Sequence, residues 1–335
     1  MSLPKVLSYP PRHIYVNRLH DVAAIFIERD ELAPRLAHFY NLQWIRENEK
    51  KWDIVHFHFG WEQYPLEHIT EVVAAHVRTG KPIVVTVHDT RNPHTKDSVA
   101  DQAYLTVILH AASAVVTLTP SAASHIRDTY GVNVMVIPHG PLLTRDRMEH
   151  YRHVQHQTLE AETIYVHLKG GRTNLDWQRL LVMAPAIKRQ SGYTLKFGVR
   201  INSDIHTYVS GMSEVYAEHI ILQSEVTDDE LYAEMIRHAA VLLPYRWGSH
   251  SGMIELAKDL GVPSIVYDTG HYEDQHPSFL VPYETDETDQ LAAIVHALNE
   301  LRTGDVSPLA TANRMKELDE FVQNYRQVYQ KVRPS

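Results

Sequence analysis

The chain has 335 residues, of which 44% are hydrophobic and 22% are charged, so it is globular and long enough for about two domains. Its 41 acidic and 32 basic residues give a formal net charge of −9, which argues against a general nucleic-acid binder or a protein of anionic membrane surfaces. The absence of cysteine excludes disulfides, thiolate nucleophiles and cysteine-ligated zinc, and it fits a reducing compartment. With no signal-peptide pattern and no apolar stretch of about 18 residues, we expect a cytoplasmic protein without an integral membrane segment.

Short apolar runs alternate with amphipathic segments in the first half of the chain. The helical patterns end or begin at recognisable caps: one ends at Gly80, and another begins at Ser121 and ends at Gly131. The near-continuous Val and Ile runs between them predict a parallel sheet covered on both faces. The predicted strands are 5–9, 23–28, 53–59, 82–88, 114–119 and 134–139, and the predicted helices include 68–80, 101–113 and 121–131.

The alternation stops over 143–162, a charged and histidine-rich segment that we interpret as the connection between domains, and it then restarts. Apolar positions at helical spacing from about Ala312 to Val332 predict one long amphipathic helix. The sequence therefore predicts two doubly wound α/β domains, 1–150 and 151–311, followed by a helix at 312–335. In the second domain the predicted strands are 163–168, 194–199, 218–223, 240–245 and 263–268, and the predicted helices are 176–190, 228–239 and 252–260.

Two predicted strand ends in the second domain suit an anion. The first carries KGGRTN at 169–174, where Arg172 offers a planar fork to a diphosphate and Lys169 is a weaker candidate. The second, PYRWGSHSGMIE at 244–255, places small residues before a helix whose N-terminal amides and dipole attract negative charge. Glu255 on that first turn either complements the helix dipole or binds a hydroxylated ligand. Together the two strand ends favour a nucleoside diphosphate.

In the first domain, histidines stand at strand ends. His88 and Asp89 close one predicted strand, and His56 and His58 share a face of another. A His-x-His pair begins some zinc sites, but no further acidic or histidine ligands follow closely here, so we expect hydrogen-bonding histidines and no metal site. The chain also has no G-x-G-x-x-G after its first strand, which argues against a dinucleotide oxidoreductase, and it has no nucleophile elbow or phosphate-binding P-loop.

Five segments in order along the chain resemble the retaining glycosyltransferases of family 4. They are TVHD at 86–89, LTPSAASHIRDTYG to VIPHG at 118–140, GGR at 170–172, VTDDELYAEM at 226–235 and LPYRWGSHSGMIELAKDLGVPSIVYD at 243–268. The resemblance implies the GT-B architecture, with two Rossmann-like domains facing a cleft and a final helix that returns to the first domain. It also implies metal-independent transfer of a sugar from a nucleotide-diphosphate sugar, bound by the second domain, to a hydroxyl acceptor on the first. The nucleotide sugar is then a co-substrate, and no cofactor is expected.

By the same resemblance, His88 is the catalytic residue near the donor sugar, and Glu255 binds the ribose hydroxyls. The remaining donor-binding candidates are Arg172, Lys169, Ser251, Gly252 and Met253. The candidates for the acceptor side or the cleft are Arg12, Asn17, Trp61, Asp89 and His139.

The sequence departs from the family pattern at three places. Trp247 stands where the first of two glutamates is expected, Trp177 stands where a phosphate-binding lysine is expected, and the glycine-rich loop after the first strand is missing. Two alternatives therefore stay open beside an active transferase. One is a catalytically silent homologue that binds sugar nucleotides or serves as a partner subunit, and the other is a sugar-nucleotide epimerase of the same architecture.

Overall fold

The computed structural model describes residues 2–20, 22–27, 40–93, 98–168, 172–304 and 310–333. Its contacts divide the chain into two compact units. Unit 1 comprises Met1–Asn92, Asp97–Gly140 and Lys316–Ser335, and unit 2 comprises Pro93–Lys96 and Pro141–Met315.

Unit 1 is built on a six-stranded parallel sheet in the order β2-β1-β3-β4-β5-β6. The strands are β1 Lys5–Tyr9, β2 Ile25–Phe26, β3 Ile54–Phe57, β4 Ile83–Val87, β5 Ala114–Thr117 and β6 Val134–Val136. The helices are α1 Ile14–Asn17, α2 Leu42–Asn48, α3 Leu66–Arg78, α4 Ser98–His110 and α5 Pro120–Tyr130. Short 3-10 helices cover Glu49–Lys51 and Trp61–Gln63.

Alternate residues of these strands face opposite sides of the sheet, and both sides are apolar. Leu7 and Val85 lie in one buried cluster, whereas their neighbours Val6 and Val84 lie in another. This two-sided burial is the reason why the strands appear in the sequence as continuous apolar runs.

Unit 2 contains a second six-stranded parallel sheet, in the order β12-β11-β10-β7-β8-β9. The strands are β7 Glu160–His167, β8 Thr194–Arg200, β9 Ile220–Gln223, β10 His238–Leu243, β11 Ser264–Asp268 and β12 Phe279–Pro282. The helices are α6 Arg145–Thr158, α7 Trp177–Ser191, α8 Asp204–Ser210, α9 Asp228–Ile236, α10 Gly252–Leu260 and α11 Glu287–Thr303, and the last helix of the chain is α12 Thr311–Val332. Short 3-10 helices cover Glu214–His219 and Tyr272–Gln275. The predicted class, two doubly wound parallel-sheet domains, is confirmed.

Helix α6 occupies most of the segment that we interpreted as a connection. Its residues are poor in β-branched types and free of Gly and Pro, so nothing local opposes a helix. Tyr151 donates a hydrogen bond to Asp229 on α9 (Oη–Oδ1 2.6 Å), and Arg152 donates to the Lys258 carbonyl on α10 (2.7 Å). The helix thus packs within unit 2, and the division between units falls at Gly140 and Pro141 rather than at residue 150.

The last helix, α12, is shared between the units along its length. Its residues up to Met315 belong to unit 2, and those from Lys316 onward belong to unit 1. Within unit 1, Phe321, Tyr325 and Tyr329 are buried against one face of the sheet. An aromatic ridge at helical spacing therefore supplies part of the unit 1 core.

Several predicted elements differ in detail from the structure. Helix α5 is capped by Thr119, whose Oγ1 accepts a hydrogen bond from the Ala122 amide, with Pro120 at the first helical position, so the predicted Ser121 cap is wrong. Gly131 does end this helix in the left-handed conformation, as predicted. The sequence analysis missed β12 and α11, and it predicted β2 too long. None of the helices in the described part of the chain is both long and apolar enough to cross a membrane.

Candidate functional site

The loops that carry the anion-binding candidates of unit 2 follow neighbouring strands. From β7 the chain continues to β8 and β9 on one side of the sheet, whereas β10 pairs with β7 on the other side. The sheet order therefore reverses between β7 and β10. In doubly wound sheets, ligands bind outside the carboxyl ends of the strands at such a reversal.

Hydrogen bonds join these two loops directly. The Arg246 amide donates to the Asn174 carbonyl (2.7 Å), and the buried Asn174 side chain donates to the Trp247 carbonyl (2.9 Å). The segment that begins at Arg172 is thereby held against the segment that leads to α10. Two stretches more than 70 residues apart in sequence form one surface.

Arg172 lies in this surface with an unused donor. Its Nε is buried and has no hydrogen-bond partner among the described residues. Because a buried, unpaired polar atom carries a desolvation cost, an anion beside Arg172 would stabilise it. The other basic candidate of this loop, Lys169, lies outside the described residues.

The N-terminus of α10 is capped and braced from within unit 2. The Ser251 hydroxyl accepts a hydrogen bond from the Met253 amide (3.2 Å), and the Ser251 amide donates to the side chain of Gln275 (2.7 Å). Among the described residues, and apart from its chain neighbours and its own helix backbone, no atom lies within 4 Å of a Cβ added to Gly252, so the space beside the first helical residue is open. The first amides of a helix point out of its N-terminus and favour an anion there.

Glu255 is buried, with 4% of its surface exposed, and its carboxylate is already engaged. It accepts hydrogen bonds from Gln275 (2.9 Å), Lys258 (3.2 Å) and Arg314 (3.0 Å). Arg314 stands on α12 and is itself fully buried. An ionised carboxylate only accepts hydrogen bonds, and these three side chains donate to it. Glu255 therefore has a structural role, and its predicted role toward ribose stays a prediction.

Arg314 also binds the second carboxylate of α10. Its Nε donates to Asp259 (2.7 Å), whose other oxygen accepts hydrogen bonds from the amides of Leu142 (2.6 Å) and Leu143 (3.0 Å). Burial raises the pKa of Asp259, and the Arg314 cation opposes that rise. The cations of Arg314 and Lys258 balance the carboxylates of Glu255 and Asp259. We call these four residues the α10 ion cluster.

The two positions that depart from the family pattern carry aromatic side chains. Trp177, at the start of α7, packs edge-on against Tyr208 with ring centroids 5.2 Å apart. Trp247 lies under the guanidinium of Arg246, 5.5 Å from its ring centroid. The lysine and the glutamate that the family pattern expects at these positions are therefore absent. A different cation, Arg246, directly precedes Trp247 in the chain.

In unit 1 the sheet order reverses between β1 and β3, and the predicted histidines follow the strands at this place. His58 follows β3 and His88 follows β4, with Nδ1 of His58 3.2 Å from Nε2 of His88. The ring of Tyr15 contacts His88 and His139 edge-on, with centroids 4.7 and 4.8 Å away. The structure thus brings two of the predicted site residues, His88 and His139, around one tyrosine.

A buried hydrogen-bonded network supports this histidine cluster. His56 contacts Tyr329 through Nδ1 (2.8 Å) and Thr86 through Nε2 (2.8 Å), and the Thr86 hydroxyl contacts that of Tyr325 (2.8 Å). The ring of His56 lies 3.9 Å from that of His58, centroid to centroid. These histidines are hydrogen-bonded, as the sequence predicted, and α12 contributes the two tyrosines.

Burial keeps the supporting histidines neutral. It lowers the pKa of His56 to about 3, with a smaller contribution from the neighbouring His88. Burial also lowers the pKa of His58, with help from His56 and His13. The neutral imidazole of His58 carries one donor and one acceptor nitrogen, so in its contact with His88 one ring donates a hydrogen bond and the other accepts it.

The remaining candidates of unit 1 occupy different environments. Arg12 and Asn17 are exposed, in the loop after β1 and at the end of α1. Asp89 is half-buried directly after His88, whereas Trp61 packs into the hydrophobic core beside Phe57 and its neighbours. Across the described residues, no group of three or more histidine and acidic side chains is arranged to hold a metal ion.

The candidates chosen from the sequence did not include Arg246 or His58, which lie at these two places in the structure. Arg246 follows β10, which flanks the reversal of sheet order in unit 2, and His58 follows β3, which flanks the reversal in unit 1. In doubly wound sheets, ligands bind at the carboxyl ends of such strands. Their type and position, a cation or an imidazole just after an apolar run, were visible in the sequence. Their neighbours were not, because the strand order depends on contacts distant in sequence.

Comparison with known proteins agrees with this architecture. Residues 6–141 match the model of Glycosyltransferase Family 4. No curated protein sequence matches the chain. Among solved structures, sucrose-phosphate synthase from Thermosynechococcus elongatus is similar with a TM-score of 0.69 at 13% identity, covering 99% of each chain. A glycosyltransferase from Rickettsia africae has a TM-score of 0.61 at 12% identity, covering 99% of each chain.

A third similar structure holds a nucleotide sugar. HepE from Anabaena in complex with UDP-glucose has a TM-score of 0.63 at 13% identity, covering 87% of this chain and 82% of its own. The two six-stranded parallel sheets and these similarities establish the GT-B fold of glycosyltransferases, and residues 6–141 carry the match to glycosyltransferase family 4.

Proposed function

We propose that this protein is a retaining glycosyltransferase, which transfers a sugar from a nucleotide-diphosphate sugar to a hydroxyl group of an acceptor without a metal ion. One observation carries the proposal. The loops bearing Arg172 and the N-terminus of α10 follow neighbouring strands at the reversal of sheet order in unit 2 and are hydrogen-bonded to each other. The fold is that of HepE, a protein whose structure holds UDP-glucose.

The donor diphosphate would bind between these loops. The guanidinium of Arg172 offers charge-assisted hydrogen bonds to phosphate oxygens, and the amide of Gly252 offers a neutral one beside the open space there. When the bond from the sugar C1 to the diphosphate oxygen breaks, negative charge grows on that oxygen. Donors fixed in advance stabilise this charge, which is the task that a metal ion performs in other transferases.

Retention of configuration requires the acceptor oxygen to bond to C1 on the face that the diphosphate leaves. The acceptor proton then passes to an oxygen of the departing diphosphate, so that charge and atoms balance. We propose that His88 contacts the transferred sugar. His58 holds His88 by the 3.2 Å contact between their rings, which fixes the orientation of the imidazole. Glu255 is the proposed ribose ligand.

One observation favours a second candidate function. Trp177 and Trp247 replace a cation and an acid of the family pattern, so a protein that binds sugar nucleotides without transferring the sugar is the alternative. Product analysis separates the two functions. A transferase releases nucleoside diphosphate from the donor, and faster with an acceptor present, whereas a silent binder releases none and an epimerase yields an altered donor.

The first experiment is a thermal-shift panel of UDP, GDP, ADP and dTDP. A ligand that binds only the folded protein stabilises it by about 2.7 kcal/mol at one hundred times its dissociation constant. We expect one nucleotide to raise the melting temperature well above the other three. Failure of all four to stabilise the protein at millimolar concentration would contradict the proposal.

A further inference from the structure

We infer that Arg246 is a second diphosphate-binding residue, which together with Arg172 takes over the work of the lysine that is absent at position 177. The inference deepens the proposed function and rests on it. Its ligand is the diphosphate of the nucleotide, recognised by two guanidinium groups.

The structure places the Arg246 side chain on the loop that carries Arg172. The Arg246 amide donates to Asn174 (2.7 Å), and its Nη2 donates to the Thr173 carbonyl (2.5 Å). The guanidinium is therefore anchored one residue away from Arg172 along the chain. It also lies over the ring of Trp247, which restricts its orientation further.

Both arginines keep a buried donor unused. The Nε atoms of Arg172 and Arg246 are each buried, and neither has a hydrogen-bond partner among the described residues. A buried N–H group of a charged side chain is costly to leave unpaired. Two such groups on joined loops, at the reversal of sheet order, indicate an anion with several acceptor oxygens.

The neighbouring residue supports the same conclusion. Trp247 replaces the acid that the family pattern expects, so the residue beside Arg246 in the chain does not neutralise it. Trp177 meanwhile packs against Tyr208 and offers no cation. Because Trp247 is uncharged, the positive charge of Arg246 is not neutralised by its neighbour, and it remains at a site where Trp177 replaces the expected lysine.

The test measures the binding of two nucleotides by calorimetry to Arg246→Gln. The ligands are the diphosphate that stabilises most in the panel of UDP, GDP, ADP and dTDP, and the corresponding monophosphate. A charge-assisted hydrogen bond corresponds to about a 10- to 100-fold change, so we expect the diphosphate Kd to rise by that factor. The monophosphate Kd should change less than about threefold, because the second phosphate is absent.

Two further variants make the result specific. Arg200→Gln removes an arginine of unit 2 whose side chain is 58% exposed, and it should leave both dissociation constants unchanged. Arg246→Lys keeps the charge without the planar fork, and it should recover part of the diphosphate affinity even if Arg246→Gln folds poorly.

The outcomes separate the inference from the proposed function. If the unmodified protein binds the diphosphate but both Arg246 variants retain its affinity, the inference is wrong and the proposed function stands. Equal losses for the monophosphate and diphosphate would show that Arg246 only shapes the loop, which also overturns the inference. If the unmodified protein binds none of the four diphosphates, both fail.

Discussion

Replacing Arg314 by methionine should destabilise unit 2 strongly, because Arg314 binds both carboxylates of the α10 ion cluster. The substitution keeps much of the side-chain volume and removes the charge. Glu255 retains Lys258 and Gln275 as partners, whereas Asp259 keeps only the amides of the 142–143 segment among its hydrogen bonds described above. Breaking a buried ion pair from one side costs about 3–5 kcal/mol. At about 2–4 °C for each kcal/mol, the melting transition should fall by roughly 6–20 °C.

The pH dependence identifies the cause. Burial raises the pKa of Asp259, and loss of the Arg314 cation should raise it further. A carboxyl with a raised pKa binds more protons in the folded than in the unfolded state, so stability increases as pH falls through the folded-state pKa toward the unfolded-state value. Calorimetry of Arg314→Met at pH 7 and pH 5 should therefore show a smaller deficit at pH 5. Adding Asp259→Asn, which removes the stranded charge, should restore most of the stability at pH 7.

A second variant on the same helix serves as the control for the loss of stability. Lys316 forms an exposed pair with Glu320, 3.8 Å apart, with 79% of the lysine side chain exposed. Lys316→Met should cost no more than about 1 kcal/mol. The reasoning is refuted if Arg314→Met costs as little as Lys316→Met, or if its deficit does not change with pH and with Asp259→Asn.

Four further results are expected. Glu255→Gln should raise the nucleoside diphosphate Kd at least tenfold, since about 1.4 kcal/mol corresponds to a factor of ten, whereas the Kd of a 2′,3′-dideoxy nucleotide should change little. Normal nucleotide binding with only a loss of stability would leave Glu255 a structural residue. His88→Ala should lower kcat strongly with little change in nucleotide Kd, and an equal loss in both would place its role elsewhere. Activity should survive EDTA, and a loss that manganese or magnesium reverses would contradict metal independence. Gly252→Ala should weaken diphosphate binding without loss of stability, whereas Gly248→Ala should destabilise the fold because its Cβ would overlap the Tyr272 hydroxyl. Unchanged binding with a loss of stability in Gly252→Ala would exclude a ligand beside α10.

The alternation of apolar runs with amphipathic segments was sufficient to predict the fold class. Strands such as β4, buried on both faces, appear as nearly continuous Val and Ile runs, and Gly131 ends α5 as expected. These features depend on neighbours in the chain. The same local information placed Ser251, Gly252 and Met253 at the start of α10, where the structure has them.

The tertiary structure decided the features that depend on residues far apart in sequence. The contact of Glu255 with Arg314 spans 59 residues, and that of His56 with Tyr329 spans 273. Local periodicity carries no information about such pairs, because it describes which face of an element is apolar and not which element covers that face. A glutamate on a first helical turn appears the same in sequence whether it faces ribose or a buried arginine, and only the packing of α12 against α10 shows that this carboxylate has Arg314 beside it.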